Sequence, residues 1–300
     1  LRPLPEAIAT QFIEGMLGAD LLGFHVRPWG EAFIDSAEAL GYEVNRDEGW
    51  VRTTDRRIWV RSYPIPVDAQ SLRTRAAADR PREWARRFRT ELGTETVMVA
   101  RADRIEPSKN IVRGFLAFER LLAEQPDFRD RCRFVACLYP SREALPEYKS
   151  YAEAIKTCVS DINGRYPGAI SLYMEDDFDR TLGALLEYDV LLVNPIMDGM
   201  NLVAKEGPAI NQRNGSLVLS QQAGSFGELR DAVVPIHDPL DIDETASALA
   251  AAVDLPKEER DRRGQALREL VEARSPEDWI TPQMEDLRSI ASGSAPLTPF

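Results

Sequence analysis

The sequence predicts an α/β protein built around a doubly wound parallel sheet. From about residue 95 onward, short apolar segments alternate with longer segments whose apolar residues recur at helical spacing. This regular alternation is typical of a parallel sheet that is covered by helices on both faces. Ligands of such sheets bind beyond the carboxyl ends of the strands, so the segments that follow the strands are the expected place for a functional site.

Four elements are predicted before residue 66: helices over 5–18 and 31–40, and strands over 20–26 and 57–65. The helices are predicted from apolar residues at helical spacing, and the second strand from its alternation, which Pro64 and Pro66 end. Residues 66–80 are predicted to be a linker, with a domain boundary near residue 75.

The predicted parallel sheet has six strands, over 96–100, 133–138, 170–173, 190–193, 217–220 and 233–236. The helices are predicted over 109–124, 146–163, 178–187, 202–212, 244–252, 256–273 and 276–290. Residues 292–300 are predicted to be a disordered tail. We therefore predict one domain over residues 1–75, a second over 76–275, and a C-terminal helix and tail over 276–300.

The composition predicts a cytoplasmic globular protein. The chain has 300 residues, of which 44% are hydrophobic and 29% charged, which is ordinary for a protein with a packed core. No apolar run approaches the roughly 20 residues that cross a bilayer, and the first residues lack the pattern of a signal peptide. A net charge of −12 argues against nucleic acids and anionic membranes as partners. The three cysteines lack metal-ligand spacing and are expected to be reduced thiols.

The segment Asp198–Glu206, with the sequence DGMNLVAKE, is the clearest candidate site. It follows the predicted strand 190–193 and begins the helix that comes next. The N–H groups at a helix start have no partner within the helix, and the helix dipole attracts negative charge there. The segment therefore predicts a phosphorylated ligand, with the carboxylates of Asp198 and Glu206 on either side of it.

Basic side chains follow two other strands of the sheet. Arg104 and Lys109 come after the strand 96–100, and Arg142 comes after the strand 133–138. An arginine fork suits phosphate oxygens, although the same residues are compatible with ordinary solvated loops. His25, at the end of a strand, is likewise compatible with a loop residue or with a catalytic one.

Taken together, these segments resemble the trehalose-6-phosphate synthase family, glycosyltransferase family 20. The motifs that carry the resemblance are GADLLGFH at 18–25, RIEPSK at 104–109, PSR at 140–142, FDR at 178–180, DGMNLVAKE at 198–206 and LSQQAG at 219–224. The resemblance runs from about residue 6 to about residue 290. It implies the GT-B architecture of two Rossmann-like domains, with a complete donor domain preceded by the last part of the acceptor-side domain.

The resemblance also implies roles for individual residues. The catalytic residues would be Arg104 and Lys109, which neutralise the donor's diphosphate, and Asp198, which binds the donor sugar. The donor-binding residues would be Phe178, Gly199, Met200, Asn201, Leu202, Val203 and Glu206. The acceptor-binding residues would be Arg142 and His25. The family needs no metal or cofactor, so only small-molecule substrates are expected as partners, and a homo-oligomer is compatible with this interpretation.

The implied activity is transfer of glucose, with retention, from UDP- or GDP-glucose to glucose 6-phosphate, which gives trehalose 6-phosphate. Glu106-Pro107 and Asn110 replace the Asp-Tyr and Gly that are typical of the family, which leaves the nucleotide open. The family's first donor loop and acceptor residues precede the helix with which this chain starts, so the chain alone is expected to bind nucleotide sugar weakly and turn over poorly. Three alternatives remain: another phosphorylated acceptor such as glycerol phosphate, a pseudo-glycosyl transfer, and a non-catalytic nucleotide-sugar-binding fragment.

Overall fold

A computed structural model describes residues 4–293 and 298–300 and divides the chain into two compact units. The first unit runs to Pro66 and resumes at Arg274, and the second unit extends from Val67 to Ala273. The predicted boundaries near residues 75 and 275 thus differ from the observed ones by up to nine residues. The last helix belongs to the first unit rather than forming a segment of its own.

The N-terminal part of the first unit contains two helices and a four-stranded sheet. Its elements are α1 (Glu6–Met16), β1 (Leu21–Phe24), α2 (Arg27–Ala39), β2 (Glu43–Asn45), β3 (Trp50–Arg52) and β4 (Arg57–Ser62). The strand order is β1-β4-β3-β2, with β1 parallel to β4 and the other pairs antiparallel. Ile34 of α2 packs on Val51, Ile58 and Val60 of the sheet. The β2–β3 hairpin was not predicted, because strands of three residues are too short to show alternation.

One edge of this sheet and one face of α1 are uncovered among the described residues. β1 is an edge strand. On α1, Ile8 and Phe12 lie one turn apart and are 44% and 57% exposed. Among the described residues, this part of the chain therefore exposes a sheet edge and an apolar helix face.

The second unit has the predicted doubly wound sheet. Its strands are β5 (Val97–Arg104), β6 (Cys132–Tyr139), β7 (Ile170–Tyr173), β8 (Val190–Val193), β9 (Ser216–Ser220) and β10 (Val234–Ile236). They are all parallel, in the order β10-β9-β8-β5-β6-β7. All six predicted strands are present, although β5 continues four residues beyond its predicted end.

Helices cover both faces of this sheet. They are α3 (Ala69–Ala76), α4 (Asp79–Leu92), α5 (Ile111–Glu124), α6 (Phe128–Arg131), α7 (Pro146–Arg165), α8 (Phe178–Glu187), α9 (Val203–Ile210), α10 (Phe226–Leu229), α11 (Ile242–Val253) and α12 (Lys257–Glu272). Because side chains alternate along a strand, Val99 of β5 joins the core beneath α5, α7 and α11. Met98 and Ala100 join the core on the opposite face, beneath α4, α8 and α9.

The predicted linker over 66–80 is wrong. α3 starts where the Asp68 carboxylate accepts a hydrogen bond from the Ser71 N–H at 2.9 Å, an ordinary helix N-cap. α4 then buries Ala85 and Phe88 in the second unit. Ala69, Leu72 and Ala76 pack on the core of the second unit at helical spacing, a weak apolar period among polar residues that the interpretation as a linker overlooked.

The chain ends in the first unit with α13 (Pro276–Ser292), which Gly293 terminates in a left-handed conformation. The predicted disordered tail falls partly on residues 294–297, which lie outside the described residues. The prediction is wrong for the described residues 298–300. The Thr298 N–H donates to the Asp286 carboxylate at 2.7 Å, and Phe300 packs against the core of the first unit.

Replacing Asp286 with alanine should destabilise the first unit by about 1–3 kcal/mol. Asp286 is 3% exposed and accepts a hydrogen bond from the Tyr63 hydroxyl at 2.6 Å, so the variant leaves a buried hydroxyl without its partner. Urea unfolding followed by tryptophan fluorescence is the suitable measurement, because Trp29, Trp50, Trp59 and Trp279 all lie in the first unit. Glu285→Ala, at an exposed neighbour on the same helix, is the control, and equal losses in both variants would contradict the assignment.

Candidate functional site

The order of the strands places the candidate site between β5 and β8. The chain runs from β5 to β6 and β7 on one side, and then crosses back to place β8 on the other side of β5. The loops that follow β5 and β8 therefore diverge at the carboxyl edge of the sheet. This is the switch point at which open α/β sheets bind their ligands.

Two of the predicted catalytic residues meet at this switch point. Lys109 ends the 3-10 turn Pro107–Lys109 that follows β5, and its Nζ forms an ion pair with the carboxylate of Asp198, which follows β8. Both side chains are largely buried, at 11% and 19% exposed. The Asp198 backbone is held in place by a bridge to Ala223, and its N–H donates to the Gln222 carbonyl at 3.0 Å.

Asn201 organises the turn between Asp198 and α9. Its φ is 59°, in the left-handed region that asparagine tolerates better than most residues. Its side-chain amide donates to Asp198 Oδ2 at 3.1 Å, so this oxygen accepts from both Asn201 and Lys109. The N–H groups of Leu202 and Val203 come next, and neither donates to any residue in the described part of the chain. They are available to an anion at the start of α9.

Glu206 lies in the first turn of α9 and is mostly buried. Within residues 4–293 and 298–300 its carboxylate has no hydrogen-bond or ion-pair partner. Burial raises the pKa of Glu206 above its ordinary value. A buried carboxylate that lacks a protein partner is suited to accept hydrogen bonds from ligand hydroxyl groups.

Glu206→Gln should make the protein more stable at neutral pH and weaken its binding of nucleotide. Because the folded-state pKa is raised, the stability that this group contributes is complete below the unfolded pKa of about 4.3 and is lost as the pH rises through the folded pKa. Glutamine removes that loss, so the stability gain over the wild-type protein should grow as the pH rises from the unfolded pKa through the folded pKa. Denaturant unfolding at several pH values tests this result, with the exposed Glu258→Gln as control. A stability gain that does not depend on pH would contradict this prediction. The second effect of Glu206→Gln, on nucleotide affinity, should be a loss of about fivefold.

Arg104 is the last residue of β5, and its guanidinium lies 3.0 Å from Glu106 Oε1. The Ser141 hydroxyl, in the loop that follows β6, donates to the same oxygen at 3.1 Å. Glu106, which the sequence presents as a departure from the family, thus links the β5 and β6 loops. Arg104 is about half exposed, which leaves part of its fork accessible to a ligand.

Arg142 and Phe178 follow β6 and β7, further along the same edge of the sheet. Arg142 has a left-handed φ of 49°, and its Nη1 donates to the Tyr148 hydroxyl at 3.0 Å. Phe178 begins α8 and is 47% exposed. Within the described residues, neither side chain hydrogen-bonds or ion-pairs with Lys109 or Asp198. Their roles toward the acceptor and the donor stay predictions.

The remaining predicted site residues differ in their surroundings. Met200 is buried, and its carbonyl accepts a hydrogen bond from the Ser225 N–H at 3.0 Å, which anchors the loop. A Cβ added at Gly199 would meet no atom within 4 Å. His25 lies in the first unit after β1, with its Nδ1 3.3 Å from the Tyr63 carbonyl oxygen. Its acceptor role stays a prediction.

The sequence interpretation missed Asn110, which fixes the turn after Lys109. Asn110 is 1% exposed and has a φ of 60°. Its side-chain amide donates to the carbonyls of Asn194 at 3.1 Å and Pro239 at 2.6 Å. The sequence could have indicated this role, because Asn110 stands where the family has glycine. Both residues tolerate a left-handed backbone conformation.

No group of three or more His, Cys, Asp or Glu side chains is arranged to hold a metal ion within the described ranges. Likewise, no helix in those ranges is long and apolar enough to cross a membrane. Metal independence stays a prediction.

Comparisons with known proteins agree with this geometry. The model of glycosyltransferase family 20 matches residues 2–289. Trehalose-6-phosphate synthase of Mycobacterium leprae is 35% identical over 285 residues, which cover 90% of this chain and 57% of the relative. The bifunctional trehalose-6-phosphate synthase/phosphatase of Thermoproteus tenax is 33% identical over 299 residues, which cover 97% of this chain and 40% of the relative.

Among solved structures, the UDP-forming α,α-trehalose-phosphate synthase of Burkholderia vietnamiensis is similar with a TM-score of 0.86 and 30% identity. The match covers 94% of this chain and 65% of that one. Together with the parallel sheet, this similarity confirms the predicted fold class, the α/β fold of GT-B proteins. The chain belongs to glycosyltransferase family 20. It spans less than two thirds of the length of each of these relatives.

Proposed function

We propose that the switch point of the second unit binds the diphosphate of a nucleotide sugar and serves as the donor site of a glucosyl transfer. The observation that carries the proposal is the ion pair between Lys109 and Asp198 beside the start of α9. It combines a largely buried cation, the accessible N–H groups of a helix start and a carboxylate at the carboxyl edge of one sheet. A diphosphate that is linked to a sugar suits all three, because the cation and the N–H groups can bind its phosphate oxygens and the carboxylate can accept from the sugar hydroxyls.

Gly199 supports a ligand that comes close to the backbone. Its φ lies outside the left-handed region, and a Cβ would meet no atom within 4 Å. Neither the backbone conformation nor packing in the described part of the protein therefore requires glycine here. A sugar or phosphate that lies against the backbone would require glycine at this position, because the ligand needs the space that a side chain would fill.

The chemistry follows from where charge develops. When the bond between the sugar and the diphosphate breaks, negative charge grows on the leaving phosphate oxygen. Lys109, Arg104 and the N–H groups at the start of α9 supply positive potential there, which lowers the barrier. Asp198 then accepts hydrogen bonds from the sugar hydroxyls, and Glu206 accepts them from the ribose. In the front-face mechanism of the family, the departing phosphate takes the proton of the acceptor hydroxyl.

The proposed substrates are UDP- or GDP-glucose and glucose 6-phosphate, with α,α-trehalose 6-phosphate as the product. One similar structure is the Escherichia coli enzyme bound with UDP-2-fluoro glucose, and another is the Burkholderia xenovorans synthase in complex with glucose-6-phosphate. Arg142 would bind the acceptor's phosphate. A cytoplasmic location belongs to the same proposal.

A transfer assay tests this function. The protein is incubated in EDTA with UDP- or GDP-glucose and with either glucose 6-phosphate or glycerol 3-phosphate. Released nucleoside diphosphate and the anomeric configuration of the product are measured. The proposal predicts an α-linked product with glucose 6-phosphate. Transfer to glycerol 3-phosphate alone would correct the acceptor, binding without transfer would indicate a non-catalytic binding protein, and the absence of both would overturn the proposal.

A further inference from the structure

Arg101 is a fully buried arginine in the middle of β5, with a side chain that is 0% exposed. Its Nε donates to the Asp103 carboxylate at 2.8 Å. Its Nη2 donates to the backbone carbonyl of Lys109 at 2.6 Å. One guanidinium thus connects the strand to the turn that carries the proposed diphosphate-binding lysine.

Burying this charge is costly unless it is paired. Asp103 is 5% exposed and provides the pair. Burial raises the pKa of Asp103, while the positive charges of Arg101 and Lys109 oppose that rise. Asp103 thus lies within the influence of both Arg101 and Lys109, and Lys109 in turn pairs with Asp198. An apolar side chain would fill the same space without the desolvation cost, so filling the core does not explain the arginine.

Gly114, on α5, makes the room that this arginine needs. A Cβ added at Gly114 would lie 2.4 Å from Arg101 Nη1 and 3.2 Å from a methyl carbon of Leu192. Nη1 has no hydrogen-bond partner among the described residues, so the guanidinium is held by its other two nitrogens. The space at Gly114 therefore admits the guanidinium that donates to the carbonyl of Lys109.

We propose that Arg101 is a positioning residue for Lys109, and that Gly114 is the complementary position that lets it act. Arg101 holds the backbone of the turn from beneath, while Asn110 holds its other end. The base of the Lys109 side chain is thereby fixed, so its ammonium group meets the diphosphate without first being ordered. This inference rests on the proposed function of the site.

The test measures binding of UDP and GDP by calorimetry in three variants. Arg101→Met removes both hydrogen bonds and should weaken the binding of the preferred nucleotide about tenfold. Gly114→Ala displaces the guanidinium and should weaken binding in the same direction, by severalfold. In the Arg101→Met background, the added methyl group of Gly114→Ala meets no guanidinium and only its contacts with Leu192 and Asn194 remain, so the further loss should be clearly smaller than in the wild-type background. Additive losses would contradict the fit between the two residues.

A second cycle separates positioning from general support of the fold. In a Lys109→Ala background, Arg101→Met should cause no further loss of nucleotide affinity. In the presence of Lys109, Arg101→Lys should retain part of the affinity that Arg101→Met loses. A loss that persists without Lys109 would show a merely structural role and overturn the proposal.

Amide hydrogen exchange provides a readout that does not depend on nucleotide. Arg101→Met should speed exchange at the Lys109 amide, which donates to the Glu106 carbonyl, and unchanged exchange would overturn the inference. If the wild-type protein binds neither nucleotide while exchange responds as expected, the proposed function fails and the support of the turn by Arg101 stands.

Discussion

Lys109→Ala is expected to weaken the binding of UDP or GDP by roughly 10- to 150-fold. A hydrogen bond to a charged group is worth about 1.5–3 kcal/mol, and this loss converts to that range of dissociation constants. The Lys109 side chain is 11% exposed, so water screens its charge little, and its removal also leaves Asp198 facing the diphosphate. Transfer activity should fall with affinity, because the same cation stabilises the leaving phosphate.

The matched control is Lys257→Ala. Lys257 forms an ion pair with Asp261 at 2.6 Å, but its side chain is 79% exposed at the start of α12. Removing it should leave nucleotide affinity unchanged within error. Equal affinities of the Lys109→Ala variant and the wild-type protein would show that the diphosphate role is assigned to the wrong residue.

Asp198→Ala is expected to separate nucleotide binding from sugar recognition. Asp198 competes with the diphosphate for the Lys109 ammonium group, so its removal should leave the affinity for UDP or GDP unchanged or increase it. The preference for the nucleotide sugar over the free nucleotide should disappear, because the acceptor of the sugar hydroxyls is lost. Transfer should fall roughly 100-fold or more, which corresponds to about 2.7 kcal/mol of transition-state stabilisation.

Asp261→Ala is the control for this variant. Asp261 accepts hydrogen bonds from Lys257 at 2.6 Å and from Asn214 at 3.1 Å, which parallels the Lys109 and Asn201 partners of Asp198. Asp261→Ala should change neither the preference for nucleotide sugar over free nucleotide nor the rate of transfer. If Asp198→Ala instead weakens free nucleotide as much as Lys109→Ala does, the division into a diphosphate residue and a sugar residue is wrong. Thermal unfolding of each variant checks that the site variants are folded.

The sheet and the site loops could be predicted because their signals are local. The strand 190–193 is a continuous apolar run, and all four of its residues are buried on both faces of the sheet. The segment Asp198–Glu206 follows directly, with its polar residues at a helix start. That Lys109 and Asp198 meet is a consequence of chain order, since β5 and β8 are neighbours only because the chain crosses back between them.

The parts that escaped prediction depend on contacts between distant segments. α3 is mostly polar and packs on the second unit only through Ala69, Leu72 and Ala76, so its helical conformation depends on its cap and on that packing. Arg101 falls just beyond the predicted strand 96–100, whereas in the structure it lies within β5. It is buried because Gly114, thirteen positions later, leaves space for it. No local pattern contains that information.

The most direct test of the central claim is a comparison of diphosphate with monophosphate. The wild-type protein is titrated in EDTA with UDP, UMP, GDP and GMP by calorimetry. Recognition through Lys109 and the start of α9 predicts that the preferred diphosphate binds at least about tenfold more tightly than its monophosphate, since the second phosphate adds a charged hydrogen bond. Equal affinities of diphosphate and monophosphate, or no binding of any of the four nucleotides, would contradict a diphosphate site at this switch point.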